Sequence, residues 1–267
     1  MRFPILRNAL PFRRPAMQAA GGGALEQSAD VWPQTGELAV SEARLLRRAW
    51  ALMLVAAVVL LLVFTLTPLD YLLADRYYLS DGHFLGQGNW WLETFSHVLV
   101  KRAGILVLVL VWLRVIAGYV RPAWAADRRR WLAVALAMSL APATVSLLKP
   151  ISGLQCPWDL TRYGGQAWDH VSWLTQQLGV RRGGCFPAGH ATSGFGFFGL
   201  VLLYMGRAPR KAYTVGGLAL MGGLSLGWGQ QMRGAHFLSH TLWSAWVCWA
   251  VCLAIFGVMG LHRANKE

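Results

Sequence analysis

Long apolar runs, separated by short polar segments, fill most of the chain from residue 49 onward. Six of these runs approach the roughly 20 residues that an α-helix needs to cross a hydrocarbon layer. The predicted spans are Ala49–Pro68, Gly104–Val120, Trp131–Leu148, Ala188–Met205, Ala212–Gln230 and Thr241–Leu261. The pattern predicts an all-α fold, a six-span polytopic transmembrane helix bundle over residues 49–262, with tails at 1–48 and 263–267.

Arginine and lysine collect in alternate loops of this predicted bundle. They precede the first span, separate the second from the third and the fourth from the fifth, and follow the sixth. The positive-inside rule places these loops and both termini in the cytoplasm. The remaining loops then face outside, so we expect a bacterial-type cytoplasmic (inner) membrane protein with an extracytoplasmic, periplasmic site.

The composition agrees with a membrane protein and disfavours a nucleic-acid-binding one. Of 267 residues, 55% are hydrophobic and 14% are charged, and the formal net charge is +13. The basic residues lie at the ends of apolar runs, where membrane orientation accounts for them. Residues 1–48 lack a compact apolar core with a small-residue cleavage site, so we interpret them as a mobile cytoplasmic tail.

The four cysteines form two pairs. Cys248 and Cys252 are four residues apart in an apolar run, so they share a helix face and are expected to be buried packing thiols. Cys156 and Cys185 bracket a polar loop between two spans. Outside the cytoplasm they can form a disulfide, and two isolated thiols are the alternative.

The segment Pro187–His190 joins a polar loop to an apolar run. Proline is favoured at the first position of a helix, which leaves the N–H groups of Ala188, Gly189 and His190 without helical partners. Such a helix start binds anions, and Gly189 allows a close approach. His190 would then donate a proton to the bound group. The alternative is an ordinary capped span with a histidine at the membrane interface.

Lys149 precedes Pro150 at a second junction. A residue before proline is disfavoured in helical geometry, so the third span is expected to end at Lys149. Its ammonium can reach a phosphate as a flexible point charge. It can equally extend to the lipid headgroups.

The third junction contains Arg233, His236 and His240. The two histidines are four residues apart and would share one helix face. The Arg233 guanidinium can clamp two phosphate oxygens. His236 can attack phosphorus if its other ring nitrogen is held, and His240 is the local candidate to hold it. A metal site of His190, His236 and His240 is the competing interpretation, but no carboxylate or cysteine adjoins them at a usual ligand spacing, so no metal or cofactor is expected.

These junctions resemble the ordered motifs of the type 2 phosphatidic acid phosphatase (PAP2) family, which is related to vanadium haloperoxidases and acid phosphatases. The motifs are a Lys followed by Arg-Pro, a Pro-Ser-Gly-His, and a Ser-Arg followed by a His and then an Asp. The positions that match are Lys149, Pro157, Pro187, Gly189, His190 and His236. The positions that differ are Cys156 for the first arginine, Ala188 for the serine, Gly229 and Gln230 for Ser-Arg, and His240 for the aspartate.

The resemblance covers Lys149 to about Ala245 and implies roles for the matching residues. His236 would be the nucleophile that forms a phosphohistidine, His190 would protonate the leaving oxygen, and Lys149 would bind phosphate oxygens. Arg233 and Arg162 are the candidates to replace the missing arginines. Asp159 and Asp169 are the candidates to replace the missing aspartate.

The sequence therefore predicts a metal-independent phosphatase that acts on a membrane lipid. Candidate substrates are an isoprenoid diphosphate, phosphatidylglycerol phosphate, phosphatidic acid and a lipid A phosphate. A phosphotransferase that moves the phosphoryl group between lipids would use the same residues. A catalytically inactive lipid-binding or transport protein on the same scaffold is the alternative from a different class.

Overall fold

The chain folds as a bundle of α-helices in this computed structural model. The structure describes residues 35–167 and 183–261, without the side chains of residues 35–43 and 95–97. Within these ranges the α-helices are α1 (Thr35–Leu66), α2 (Leu69–Asp75), α3 (Val100–Val120), α4 (Arg128–Ser152), α5 (Thr192–Phe195), α6 (Pro209–Met232) and α7 (Leu238–Val258). A π-helical segment, Trp91–Leu99, leads directly into α3, and a 3₁₀ segment, Gly196–Leu203, continues α5. The all-α prediction is confirmed for the described residues.

Four segments are long and apolar enough to cross a membrane. They are Arg44–Leu66, Val100–Val120, Arg128–Asp159 and Leu238–Val258. They correspond to the first, second, third and sixth predicted spans. Large apolar side chains such as Leu52, Leu106 and Leu147 are exposed on them, as expected for helices whose outer faces contact lipid. α1 begins at Thr35, within the segment assigned to the N-terminal tail, and the rest of both predicted tails lies outside the described residues.

The other two predicted spans are not confirmed. The run Ala188–Met205 forms only the short helix Thr192–Leu203, whose residues Phe195 and Leu202 are fully buried in the bundle. A short apolar run that is buried inside a protein has the same pattern as one that crosses lipid, so periodicity could not separate them. α6 is long enough to cross but is less apolar than the four candidate spans, so the described residues give four candidate spans instead of six.

α4 does not end at Lys149, as the proline rule predicted. The helix continues through Pro150 to Ser152 and ends at Gly153, which has a left-handed φ of 65°. The Ser152 hydroxyl donates to the carbonyl oxygen of Lys149 at 3.0 Å and to that of Phe186 at 2.7 Å. This capping by side chain and glycine outweighs the modest bias against helix before a proline.

Glycines allow α5 to pack closely against α6. A Cβ on Gly194 would lie 2.2 Å from the backbone nitrogen of Gly223, and a Cβ on Gly223 would meet the Phe195 ring at 2.1 Å. Small residues allow this kind of close approach between helices in membrane proteins. The approach draws the segment before α5, which carries His190, toward α6 and α7.

One end of the bundle is covered by a cap, formed by residues 69–90 and 157–167 together with the α6–α7 connection, 233–237. Its buried cluster includes Ala74, Phe84, Tyr163 and Phe237. The Gly86 N–H donates to the Met232 carbonyl at 2.8 Å, and the Trp158 N–H donates to the Gly234 carbonyl at 3.0 Å. The cap therefore holds the connection that carries His236.

Candidate active site

Three imidazoles converge beneath the cap. His190 comes from the segment before α5, His236 from the α6–α7 connection, and His240 from the first turn of α7. The ring centroids of His190 and His236 are 5.7 Å apart, and those of His236 and His240 are 5.9 Å apart. His236 is 3% exposed and His240 is 4% exposed. The structure thus brings together the two histidines that the sequence assigns to nucleophile and acid.

Lys149 reaches the same place from the end of α4. A Cβ built on Gly189 would lie 3.1 Å from both Cε and Nζ of Lys149, so the ammonium lies against the glycine that precedes His190. Any larger residue at position 189 would compete with this ammonium for space. Lys149, His190 and His236 therefore form one cluster, which we call the active-site cluster.

Ala188 does not contribute a backbone donor as predicted. Its N–H donates to the His240 carbonyl at 3.1 Å, and its own carbonyl accepts from the Ser244 hydroxyl at 2.9 Å. Pro187 does not begin a helix either, because α5 begins only at Thr192. The first turn of α7 packs against this segment. The His240 carbonyl in that turn accepts the Ala188 N–H, which the sequence had assigned to an anion.

Arg233 has two polar side-chain partners. Its guanidinium donates to Glu93 Oε1 and to Gln230 Oε1, both at 2.9 Å. It also lies over the Trp158 ring, with Cζ 5.9 Å from the ring centroid. One terminal nitrogen thus meets a carboxylate and the other meets an amide, whereas Nε is buried and has no hydrogen-bond partner among the described residues. Phosphate binding by Arg233 stays a prediction.

Arg162 likewise belongs to the cap. Its Nε and one terminal nitrogen donate to the two carboxylate oxygens of Asp75, at 2.9 and 2.6 Å. The Tyr163 hydroxyl donates to the same carboxylate at 2.8 Å. The Arg162 guanidinium holds the pKa of Asp75 below its usual value. This bidentate pair joins α2 to the turn at residues 161–163, and in this structure Asp75 occupies the guanidinium that was a candidate phosphate ligand.

His240 does not hold the Nδ1 atom of His236. The two rings meet edge to face, and among the described residues Nδ1 of His236 and Nδ1 of His240 have no hydrogen-bond partner. Burial lowers the pKa of His236 well below its usual value, and the charges of His240, Lys149 and His190 lower it further, against a backbone hydrogen bond with Cys185. A neutral imidazole keeps the lone pair that a nucleophile needs.

Cys156 and Cys185 are paired as a disulfide, with their Cα atoms 5.2 Å apart. Sγ of Cys185 lies 3.3 Å from the carbonyl oxygen of Ala235, next to His236. Cys248 and Cys252 are free and buried, as predicted. The Asp159 carboxylate accepts the Cys156 N–H at 3.3 Å, so it does not orient His236. The other candidate, Asp169, lies outside the described residues.

A metal site is not formed by this sulfur pair. Cys156, Asp159 and Cys185 place ligand-type atoms within 4.8 Å of one another. Both sulfurs are used by the disulfide, however, and a metal needs free thiolates.

Asp70 is a residue near the site that sequence reasoning missed. It lies on α2, and its Oδ1 accepts the Ser239 N–H at 3.0 Å, at the start of α7. A carboxylate at a helix N-terminus is stabilised by the unpaired N–H groups and the helix dipole. Asp70 thereby fixes the turn between His236 and His240. The contact joins residues 169 positions apart, and no local pattern marked it.

We expect Asp70→Asn to remove a pH dependence of stability. Burial raises the pKa of Asp70 from 3.8 to about 6. The folded protein therefore favours the protonated carboxyl, and this preference adds to the free energy of unfolding. The stabilisation is complete at pH values below 3.8 and is lost as the pH rises through about 6. Asparagine does not ionise but keeps an oxygen for the Ser239 N–H.

The measurement is the midpoint of thermal unfolding in detergent across this pH range, with the exposed Asp81→Asn as the matched control. The midpoint of the wild type relative to that of Asp70→Asn should fall as the pH rises. A difference that stays constant with pH would contradict the assignment.

A cavity of about 400 Å³ opens beside the active-site cluster. It lies between α3, α4 and the segment that contains α5, and Lys149, Gly189 and His190 line it at one end. Apolar residues such as Leu108, Met138 and Phe197 line much of the rest of it. The other polar residues of the lining are Lys101, Ser139, Ser146, Thr192 and Ser193. The cluster is therefore adjacent to a space with a polar end and an apolar end.

The comparisons with known proteins identify the family. A family model described as the PAP2 superfamily matches residues 130–263, half of the chain. The match begins in α4, extends past the end of α7 and includes Lys149, His190 and His236. Neither a curated protein nor a solved structure matches the chain. Members of this superfamily are generally phosphatases. The motif residues that gather at one end of the bundle and the match across half of the sequence show that the chain belongs to the PAP2 superfamily.

Proposed function

We propose that this protein is an integral-membrane phosphatase that removes a phosphate from a membrane lipid through a phosphohistidine intermediate. The observation that carries the proposal is the convergence of His190, His236 and Lys149 from three separate segments, with 5.7 Å between the two imidazole rings. A nucleophile, an acid and a cation around one anion are the parts that phosphoryl transfer requires.

In the proposed reaction, a ring nitrogen of His236 attacks phosphorus and forms an N–P bond. The bond from phosphorus to the lipid oxygen breaks, and His190 supplies the proton that this oxygen takes up. Water then attacks the phosphohistidine, His190 accepts a proton from the water, and inorganic phosphate leaves. The low pKa of His236 supports its role, because the imidazole is neutral and nucleophilic at neutral pH.

Lys149 is the proposed phosphate ligand. Negative charge on the equatorial oxygens grows during phosphoryl transfer, and a fixed cation in a partly buried site stabilises it. Gly189 has room for both the Lys149 ammonium and a phosphate, since it has no side chain. A fixed ammonium supplies the positive charge that a metal ion gives to other phosphatases, so we propose a metal-independent reaction.

A lipid is the proposed substrate because the active-site cluster adjoins an apolar cavity at the end of candidate membrane spans. We propose that α6 and the α5 segment complete six crossings, with both termini in the cytoplasm of a bacterial-type cell. The charge distribution between the loops supports this orientation, in which the cluster would lie on the periplasmic face. An isoprenoid diphosphate, phosphatidylglycerol phosphate, phosphatidic acid or a lipid A phosphate would each present its phosphate at this depth.

The test is phosphate release by the purified protein from a panel of these lipid phosphates in detergent micelles, with and without EDTA. We expect release from at least one lipid, undiminished by the chelator. Transfer of phosphate to a second lipid without release into water would instead identify a phosphotransferase. Binding of lipid with neither reaction would identify an inactive scaffold and overturn the proposal.

A further inference from the structure

The cavity beside the active-site cluster extends along α3 and α4, and we call it the α3–α4 cavity. Its lining includes Lys101, in the first turn of α3, and Lys149, in the last turn of α4. α3 and α4 are consecutive helices joined by a short connection and packed together, so these two helix ends lie at the same end of the bundle. Two lysines therefore line the cavity at one end.

A hydrogen bond between the two helices lies beside the part of the α3–α4 cavity that is farthest from Lys149 along α4. The Trp112 indole N–H donates to the Ser139 hydroxyl at 3.3 Å, and Ser139 lines the cavity. From Ser139 to Lys149 an α-helix rises about 15 Å. This depth is about half of the roughly 30 Å hydrocarbon thickness of a bilayer, so the cavity matches one leaflet.

The lining changes from charged to apolar along this depth. Lys101, Lys149 and His190 line the cavity near the cluster, whereas Ile105 and Leu108 line it one and two turns further along α3. Among the described residues that line the cavity, none carries a carboxylate. A ligand that suits this lining has an apolar chain and more than one negative group at its head.

The two lysines occupy different environments. The Lys149 ammonium lies against Gly189, inside the active-site cluster, where the transferred phosphoryl group would bind. Lys101 is exposed and lies on another helix, at the edge of the same cavity. If the substrate carried a single phosphate, bound to Lys149, the charge of Lys101 would have no part in the transfer. If the substrate carried a second phosphate beside the first, Lys101 would bind it.

The position of His190 gives the direction of the leaving group. His190 lines the α3–α4 cavity, whereas His236 is not part of the lining, and the centroids of their rings are 5.7 Å apart. In an in-line displacement the nucleophile and the leaving oxygen are on opposite sides of phosphorus. With His236 as nucleophile and His190 as acid, the leaving group departs into the cavity.

We propose that the α3–α4 cavity holds a lipid diphosphate, with the lipid chain between α3 and α4 and the second phosphate on Lys101. The inference rests on the proposed phosphatase function and narrows its substrate class. His236 forms a bond to the terminal phosphorus, and the P–O bond to the bridging oxygen breaks. The electron pair stays on that oxygen, His190 protonates it, and the product is a lipid monophosphate. Lys101 stabilises the charge on this leaving phosphate.

The test compares two substrates that share one chain, farnesyl diphosphate and farnesyl monophosphate, in detergent micelles. For Lys101→Ala we expect kcat/KM to fall about tenfold for the diphosphate and less than twofold for the monophosphate. The factor is smaller than the roughly hundredfold loss for a buried donor, because Lys101 is exposed and partly screened by solvent. Arg102→Ala is the matched control, because Arg102 is a neighbouring exposed cation that does not line the cavity.

A second pair of variants tests where the chain lies. Leu108→Trp should fill the α3–α4 cavity and raise KM for farnesyl diphosphate at least fivefold, while KM for the shorter isopentenyl diphosphate changes less than twofold. Leu106→Trp is the control, because Leu106 is exposed on α3 and does not line the cavity. A thermal unfolding midpoint for each variant separates misfolding from a blocked cavity.

The outcomes separate the two proposals. Equal losses on both substrates for Lys101→Ala, or no loss on either, would overturn the assignment of Lys101 while leaving the phosphatase function intact. A wild-type protein that hydrolyses neither substrate and none of the other lipid phosphates would overturn the proposed function, and this inference with it. A KM for farnesyl diphosphate that is unchanged in a folded Leu108→Trp variant would exclude the chain from the cavity.

Discussion

His236→Ala is expected to reduce phosphate release from a lipid phosphate by about 10⁴-fold or more. Without the imidazole no N–P bond can form, and loss of a covalent nucleophile typically removes most of the catalysed rate. His236 is 3% exposed and its ring lies 5.7 Å from that of His190, so the substitution removes a buried imidazole from the active-site cluster. The measurement is single-turnover phosphate release in detergent micelles.

Two controls make this result specific. His83→Ala removes an exposed histidine of the cap and should leave the rate within about twofold of wild type, as expected for a surface residue. His236→Gln keeps much of the side-chain volume, so a rate loss in that variant is not the result of an empty cavity. A phosphorylated intermediate that is trapped by rapid denaturation should be labile to acid in wild type and absent in both His236 variants. An undiminished rate in His236→Ala would remove this residue from the mechanism.

Lys149→Met is expected to reduce kcat by about 10² to 10³-fold, which is the typical cost of losing one preorganised group that stabilises the transition state. Methionine keeps much of the apolar stem and removes the charge. Lys211→Met, near the start of α6, is the matched control and should have little effect. A Lys149→Met variant with the wild-type rate would show that another cation binds the phosphate.

Gly189→Ala tests the same contact from the other side. The added methyl group would lie 3.1 Å from Nζ of Lys149, so the ammonium must move by a few tenths of an ångström. The effect should be a smaller loss in the same direction as that of Lys149→Met. If Gly189→Ala lowered the rate in a Lys149→Met background as much as in wild type, the two residues would not act through one another.

The residues that were expected to compensate for the departures from the family motifs have other partners in the structure. Two arginines that were candidates for the missing guanidinium groups, Arg162 and Arg233, are paired with Asp75 and Glu93. At the position of the first motif's arginine, Cys156 is joined to Cys185 and braces the loop next to His236. In the described part of the chain, Lys149 is therefore the cation that the structure places beside the two motif histidines.

The sequence by itself determined the all-α class and the family of the protein and selected three residues of its candidate site. Apolar runs of span length require helices, because a backbone in lipid must satisfy its hydrogen bonds within one segment. The positions of Lys149, His190 and His236 at loop–helix junctions, together with the matching motifs, were enough to select them from the sequence.

Only the tertiary structure decided which partners these residues have. The contacts of Arg233 with Glu93 and of Asp70 with Ser239 join residues 140 and 169 positions apart, and no local pattern encodes such pairs. The Ala188 N–H was assigned to an anion because a helix was expected to begin at Pro187, but the His240 carbonyl of a different segment accepts it. Burial of Thr192–Leu203 inside the bundle also depends on the packing of α4, α6 and α7 around it. The hydrophobicity of a segment determines how favourable its removal from water is. Which residues it then contacts depends on the packing of all the segments together.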